Sequence, residues 1–115
     1  ESKQIMSSDL PSIHVLEQLY AVIEAREDAP LTESYSAALL AEAPEKPVRK
    51  LAEETTEVVI EALKGDKEAL ACESADLRYH LMVVWVAAGL TPEEVWQELA
   101  ARQNRSGLAE KAARK

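Results

Sequence analysis

The stretch Lys50-Leu-Ala-Glu53-Glu54-Thr-Thr-Glu57-Val-Val-Ile-Glu61-Ala-Leu-Lys64-Gly65-Asp66, followed by Glu73-Ser-Ala-Asp76-Leu-Arg-Tyr79-His80-Leu81, decides how the chain is read. At about 100° per residue, Val48, Leu51, Thr55, Val58, Val59 and Ala62 fall on one face of a helix. Glu54, Glu57 and Glu61 form a stripe beside that face. Like charges three and four residues apart weaken an exposed helix by about 0.2–0.5 kcal/mol per pair, so a purely solvated face would tend to alternate sign. Lys64 suits the negative end of this helix, Gly65 predicts its C-cap and Asp66 the N-cap of the next. That next helix, running to about Ala88, carries Leu70, Leu77, Leu81 and the run from Met82 to Val86. It is apolar nearly all round, which predicts a place in the middle of a bundle. Yet Glu73 and Asp76 share one of its faces with His80, Val83 and Val84.

A buried, unpaired carboxylate costs on the order of several kcal/mol, and two together repel. Arg or Lys, protonation or a metal ion must neutralise them. Arg78 points to another side of the same helix. The tight Gly65-Asp66 turn lays the two helices antiparallel, so that Glu54, Glu57, Glu73 and Asp76 converge. All-oxygen donors suit hard divalent cations, Mg2+ in particular, and carboxylate sites of this kind are built from facing helices in bundles.

Working outward, Ile13, Leu16, Leu19, Tyr20 and Ile23 recur at helical spacing and predict a first helix from about Pro11 to Glu27. Asp28-Ala-Pro30 ends it, and Thr32 is the expected N-cap of a short helix through about Ala41. The third helix begins near Pro44 or Pro47, since proline is tolerated in a first turn. Thr91-Pro92-Glu93-Glu94 starts a fifth helix that runs to about Arg102. The reading is all-α: one domain over residues 1–115, a bundle of about five helices with a four-helix core. Residues 1–9 are expected to be frayed and 103–115 to form a basic C-terminal tail. Several large apolar residues on nearly every helix, around so small a core, predict completion by a second copy, a homodimer.

Charge and composition exclude other classes. The net charge of −8 argues against nucleic-acid or anionic-membrane binding. From Arg102 onward, five basic residues face the single acid Glu110, so that end is +4 and the preceding 101 residues are −12. An acidic body suits a divalent cation and a basic tail an anion. Three glycines and five prolines leave little turn chemistry for a many-stranded sheet. The longest apolar run, Leu81 to Leu90, is far short of the roughly 20 residues a membrane helix needs. Cys72 can form neither an internal disulfide nor a multi-cysteine zinc site, and with no leader visible the expected location is cytoplasmic.

Other residues take plainer readings. Cys72 reads as a small buried hydrophobe, His14 as a surface residue, and Trp85 and Trp96 as core or subunit-interface anchors. His80 reads as a core histidine, with zinc-type ligation as the sharper alternative. Arg105-Ser106-Gly107 supplies a cation, a hydroxyl and an approachable backbone, which suits a phosphate as well as an ordinary surface turn.

The segments Glu53-Glu54-Thr-Thr-Glu57 and Glu73-Ser-Ala-Asp76 resemble the acidic signature of the all-α NTP pyrophosphatase (MazG-like) superfamily. Within it, Leu16 to Arg26, Ser34-Tyr35-Ser36-Ala-Ala-Leu39-Leu40 and Arg105-Ser106-Gly107-Leu-Ala-Glu110-Lys111-Ala resemble the phosphoribosyl-ATP pyrophosphohydrolase family of histidine biosynthesis. The likeness spans about residues 13–114. It implies hydrolysis of 1-(5-phosphoribosyl)-ATP to 1-(5-phosphoribosyl)-AMP and pyrophosphate with Mg2+, or Mn2+ in its place. Glu54, Glu57, Glu73 and Asp76 match the metal-binding acids. Glu53 and Glu54 match the catalytic pair, Glu53 acting as a ligand, as a base that orients water, or from behind the ligands. Lys50, Ser34, Tyr35, Arg105, Ser106, Gly107 and Lys111 are the implied substrate-binding set, with Lys50, Arg105 and Lys111 meeting phosphate oxygens. Ala52, Pro47, Ser36 and Arg78 depart from the family pattern, but none removes an acid. The chain has neither the length nor the cysteines of a fused cyclohydrolase domain, which implies the stand-alone form.

Two rivals stand beside this reading. A pyrophosphatase of the same superfamily acting on free dNTPs would share the acids but has no use for the Ser34-Tyr35 and Arg105 to Lys111 segments. A non-enzymatic helical interaction domain would leave the carboxylates solvated.

Overall fold

The structure, a computed structural model, describes residues 13–103. Five helices follow one another: α1 (Ile13–Ala25), α2 (Tyr35–Ala41), α3 (Glu45–Lys64), α4 (Lys67–Ala88) and α5 (Pro92–Arg102). No strand occurs among the described residues. The expectations for residues 1–9 and for the tail beyond Gln103 lie outside them.

Local chemistry fixes the helix ends. Gly65 closes α3 with φ 77°, a left-handed conformation that favours glycine, and its N–H returns to the Glu61 and Ala62 carbonyls. One residue later the Asp66 side chain accepts the Ala69 N–H at 3.0 Å and starts α4. Gly89, at φ 74°, ends α4 in the same way. Thr91 accepts the Glu94 N–H at 3.3 Å, and its hydroxyl in turn meets the Glu94 carboxylate at 3.2 Å. Pro47 lies in the first turn of α3, where a backbone N–H would have no intrahelical partner. The helix therefore begins before it, at Glu45.

The cap of α2 differs from expectation. Ser34, not Thr32, is the N-cap, its hydroxyl accepting the Ala37 N–H at 3.1 Å. The N–H groups of Glu33 and Ser34 both bond back to the Pro30 carbonyl. That turn consumes the residues around Thr32 and delays the helix by two positions.

The core joins Tyr20 and Ile23 of α1, Leu39 of α2 and Met82, Val83 and Trp85 of α4, with Val95 and Trp96 of α5 packed against it. Trp85 and Trp96 meet edge to face, their centroids 6.1 Å apart, and the Trp96 indole N–H donates to the Glu17 carboxylate at 3.0 Å. Helix α4 touches α1, α2 and α3, as its apolar composition predicts. Its longest interface is with α3.

The expectation that Cys72 is buried fails, and the apolar face of α3 is not buried within one chain. Among its residues only Pro47 is buried, while Val48 and Val59 are about half exposed and Leu63 is 85% exposed. Cys72 is exposed, because it lies on the N-terminal half of α4, ahead of the core.

Candidate functional site

The two-residue connection at Gly65-Asp66 makes α3 and α4 antiparallel neighbours, and the acids meet across their interface. Glu54 of α3 and Glu73 and Asp76 of α4 each bring one oxygen to within 4.8 Å of the others. Glu54 and Glu73 are half-buried, and Asp76 is exposed. The acids of α4 thus open to solvent at the edge of the helix pair and do not sit in the core, where the apolar run had suggested.

Partial burial, then the nearby charges of Glu54 and Asp76 and a hydrogen bond with Glu54, hold the Glu73 carboxyl above the usual carboxylate range. Three carboxylates this close repel unless a proton or a cation stands among them. Their donors are all hard oxygens, and the residues present fit a divalent cation of the Mg2+ type.

The remaining acids of the stripe divide. Glu57 is exposed and brings no oxygen into the trio, but its charge acts on Glu73. Glu61 is drawn to Lys64 at 4.0 Å. Glu53 accepts from the Lys50 ammonium at 3.1 Å, and that bond, with the Glu53 charge, raises the Lys50 pKa. Thr55 and Thr56 turn their hydroxyls back to the Leu51 and Ala52 carbonyls, away from the acids.

Beside the acids stands an aromatic group that helix spacing does not reveal. Tyr35, at the start of α2, stacks on Tyr79 of α4 with ring centroids 6.2 Å apart and planes 18° apart. The Tyr79 hydroxyl and the Ser36 hydroxyl share a 2.6 Å hydrogen bond. The His80 ring stands nearly perpendicular to both tyrosine rings, at 86° to Tyr35 and 78° to Tyr79. It is 6% exposed, and burial pushes its pKa down, partly opposed by the Glu54 charge. It does not join the carboxylate trio, and its buried Nδ1 has no hydrogen-bond partner among the described residues. Ser34 is buried and occupied as the α2 cap, which fixes the segment carrying Tyr35. The signal for Tyr79 was its place one turn beyond Asp76. Ser36 lies in a segment singled out by the sequence, but nothing local there pairs it with Tyr79, since their contact joins positions 43 apart. Arg105, Ser106, Gly107 and Lys111 lie outside the described residues.

Comparison with known proteins gives a consistent answer. The family described as phosphoribosyl-ATP pyrophosphohydrolase matches residues 16–103. The chain is 52% identical over 110 residues to the phosphoribosyl-ATP pyrophosphatase of Azospirillum brasilense, covering 96% of this chain and 99% of that one. It is 47% identical over 107 residues to the enzyme of the same name from Gluconobacter oxydans, with 93% and 80% covered. With that of Granulibacter bethesdensis it shares 50% over 103 residues, which is 90% of this chain and 64% of the longer relative.

Proposed function

The chain belongs to the phosphoribosyl-ATP pyrophosphohydrolase family, and from that membership we propose that Glu54, Glu73 and Asp76 hold the divalent cation with which it hydrolyses 1-(5-phosphoribosyl)-ATP. The products are 1-(5-phosphoribosyl)-AMP and pyrophosphate, and the step belongs to histidine biosynthesis. The observation that carries the site is the meeting of three carboxylate oxygens from two helices within 4.8 Å.

Mg2+ is the resident ion, with Mn2+ as its substitute, and Glu57 adds a further carboxylate at the edge of the trio. When bound, the cation supplies positive charge against the negative charge that develops on the leaving pyrophosphate. The protein's own groups do the rest. Glu54, Glu73 and Asp76 fix where the triphosphate lies. Glu53, held by Lys50, orients the attacking water and receives its proton. Water adds to phosphorus, the bond between the α- and β-phosphates breaks, and pyrophosphate leaves. Lys50 offers a charge-assisted donor to phosphate oxygens, as do Arg105 and Lys111 of the basic tail, with Ser106 and Gly107 between them.

The same reading includes a homodimer in the cytoplasm. Pro44, Pro47, Val48, Val84, Ala87 and Ala88 line an apolar groove between the start of α3 and the end of α4, continuous with the exposed Val48. A second copy packing there would bury the unpartnered face of α3. No described helix is long and apolar enough to cross a membrane.

The deciding assay follows pyrophosphate release from 1-(5-phosphoribosyl)-ATP, with and without EDTA, beside a dNTP panel. Release from the phosphoribosyl substrate, lost with EDTA and weak or absent across the panel, supports the proposal. Preference for a dNTP moves the chain to the housekeeping branch of the superfamily. Absence of release from any substrate in Mg2+ overturns the enzymatic reading.

A further inference from the structure

The Tyr35 ring is an unusual feature of this surface. It is 54% exposed, yet it is not loose. The Ser34 cap fixes the turn that carries it, and Tyr79 backs one of its faces. Tyr79 is itself tied to Ser36 at 2.6 Å and wedged by the buried ring of His80, 5.0 Å away between ring centroids. An aromatic face held this firmly and left open on its far side has little entropy to lose when a flat group stacks on it.

Its neighbours indicate which flat group. His80, whose ring centroid is 6.1 Å from that of Tyr35, stands one helical turn beyond Asp76 on α4, and Lys50 stands one turn before Glu54 on α3. The aromatic face, the cation and the carboxylate trio thus lie on neighbouring turns of adjoining helices. A nucleotide presents its parts in the matching order, with a flat base, then sugar, then phosphates that meet a cationic side chain and a metal-binding cluster. We propose that the open face of Tyr35 stacks on the adenine ring of the substrate, with Tyr79, Ser36 and His80 as positioning residues that hold the platform. The proposal rests on the carboxylate trio being the phosphate end of the site.

The test uses the full chain with Mg2+. Tyr35→Leu removes the ring at an exposed helix start and is checked for unchanged circular dichroism. Base–aromatic stacking predicts a rise in KM of about 5- to 150-fold, with kcat within about threefold because ground state and transition state lose it alike. The conservative Tyr35→Phe rescues KM. Inhibition by inorganic tripolyphosphate, which has no base, keeps its constant in Tyr35→Leu, while inhibition by AMP weakens. An unchanged KM in Tyr35→Leu, or a loss in Tyr35→Phe equal to that in Tyr35→Leu, overturns the platform. Glu54→Gln is run in parallel. If it is inactive while Tyr35→Leu binds normally, only the platform fails. If Glu54→Gln turns over normally, the phosphate end was misplaced.

Discussion

Helices α3 and α4 are nearly equal in length, 20 and 22 residues, and share the site, but they are supported differently. Helix α4 buries His80, Met82, Val83 and Trp85 against three other helices. Helix α3 buries Pro47 and leaves Val48, Val59, Ile60 and Leu63 exposed. The difference teaches that two acids of the trio, Glu73 and Asp76, stand on a helix whose C-terminal half is anchored in the core, and the third, Glu54, on a helix that a single chain leaves half covered. Within one chain α3 is held in register by the Gly65 turn and by its interface with α4, and the homodimer proposed above would cover its apolar face.

The largest expected effect tests whether both helices contribute equally to chemistry. Glu54→Gln on α3 and Asp76→Asn on α4 should each lower kcat/KM by at least about 10^3-fold with the fold intact. Glu57→Gln, outside the trio, should lose on the order of tenfold, felt first in the Mg2+ requirement. Next comes the contrast in stability. Met82→Ala, at a fully buried position of α4, should cost about 2–5 kcal/mol in denaturant unfolding. If the proposed homodimer forms along this face, the parent chain sediments as a dimer, and Val48→Asp with Val59→Asp on α3 should leave helix content unchanged and yield monomer in analytical ultracentrifugation. A dimer that survives both charges would place the partner elsewhere. Ser34→Ala removes the α2 cap and should cost about 1 kcal/mol.

The smallest effect is with pH. Because Glu73 has its carboxyl pKa raised in the folded state, the cation-free fold binds more protons than the unfolded chain between the ordinary and the raised value. Its contribution to stability therefore falls as pH rises through that window, and Glu73→Gln should remove this component from the melting profile. Cation binding needs the ionised form, so thermal stabilisation by Mg2+ should be weaker within that window than at higher pH.

What could be read from the sequence was local. Gly65, Asp66, Gly89 and Thr91 announce helix ends because cap chemistry acts within four residues. Ser34 escaped because the Pro30 turn overrode a plausible Thr32. A helical wheel identifies the apolar face of α3 but not what covers it. It likewise groups Glu54, Glu57 and Glu61 without showing that Lys64 attends Glu61 and that Glu54 alone of the three joins Glu73 and Asp76. The backing of Tyr35 by Tyr79 depends on α2 crossing α4, a tertiary fact with no local signature.

Mn2+ titrated calorimetrically into the metal-free protein, and into its Glu54→Gln and Asp76→Asn variants, tests the shared cation site most directly. The account predicts binding to the parent chain that is lost as fully with the α3 substitution as with the α4 one. Undiminished binding in either variant would contradict it.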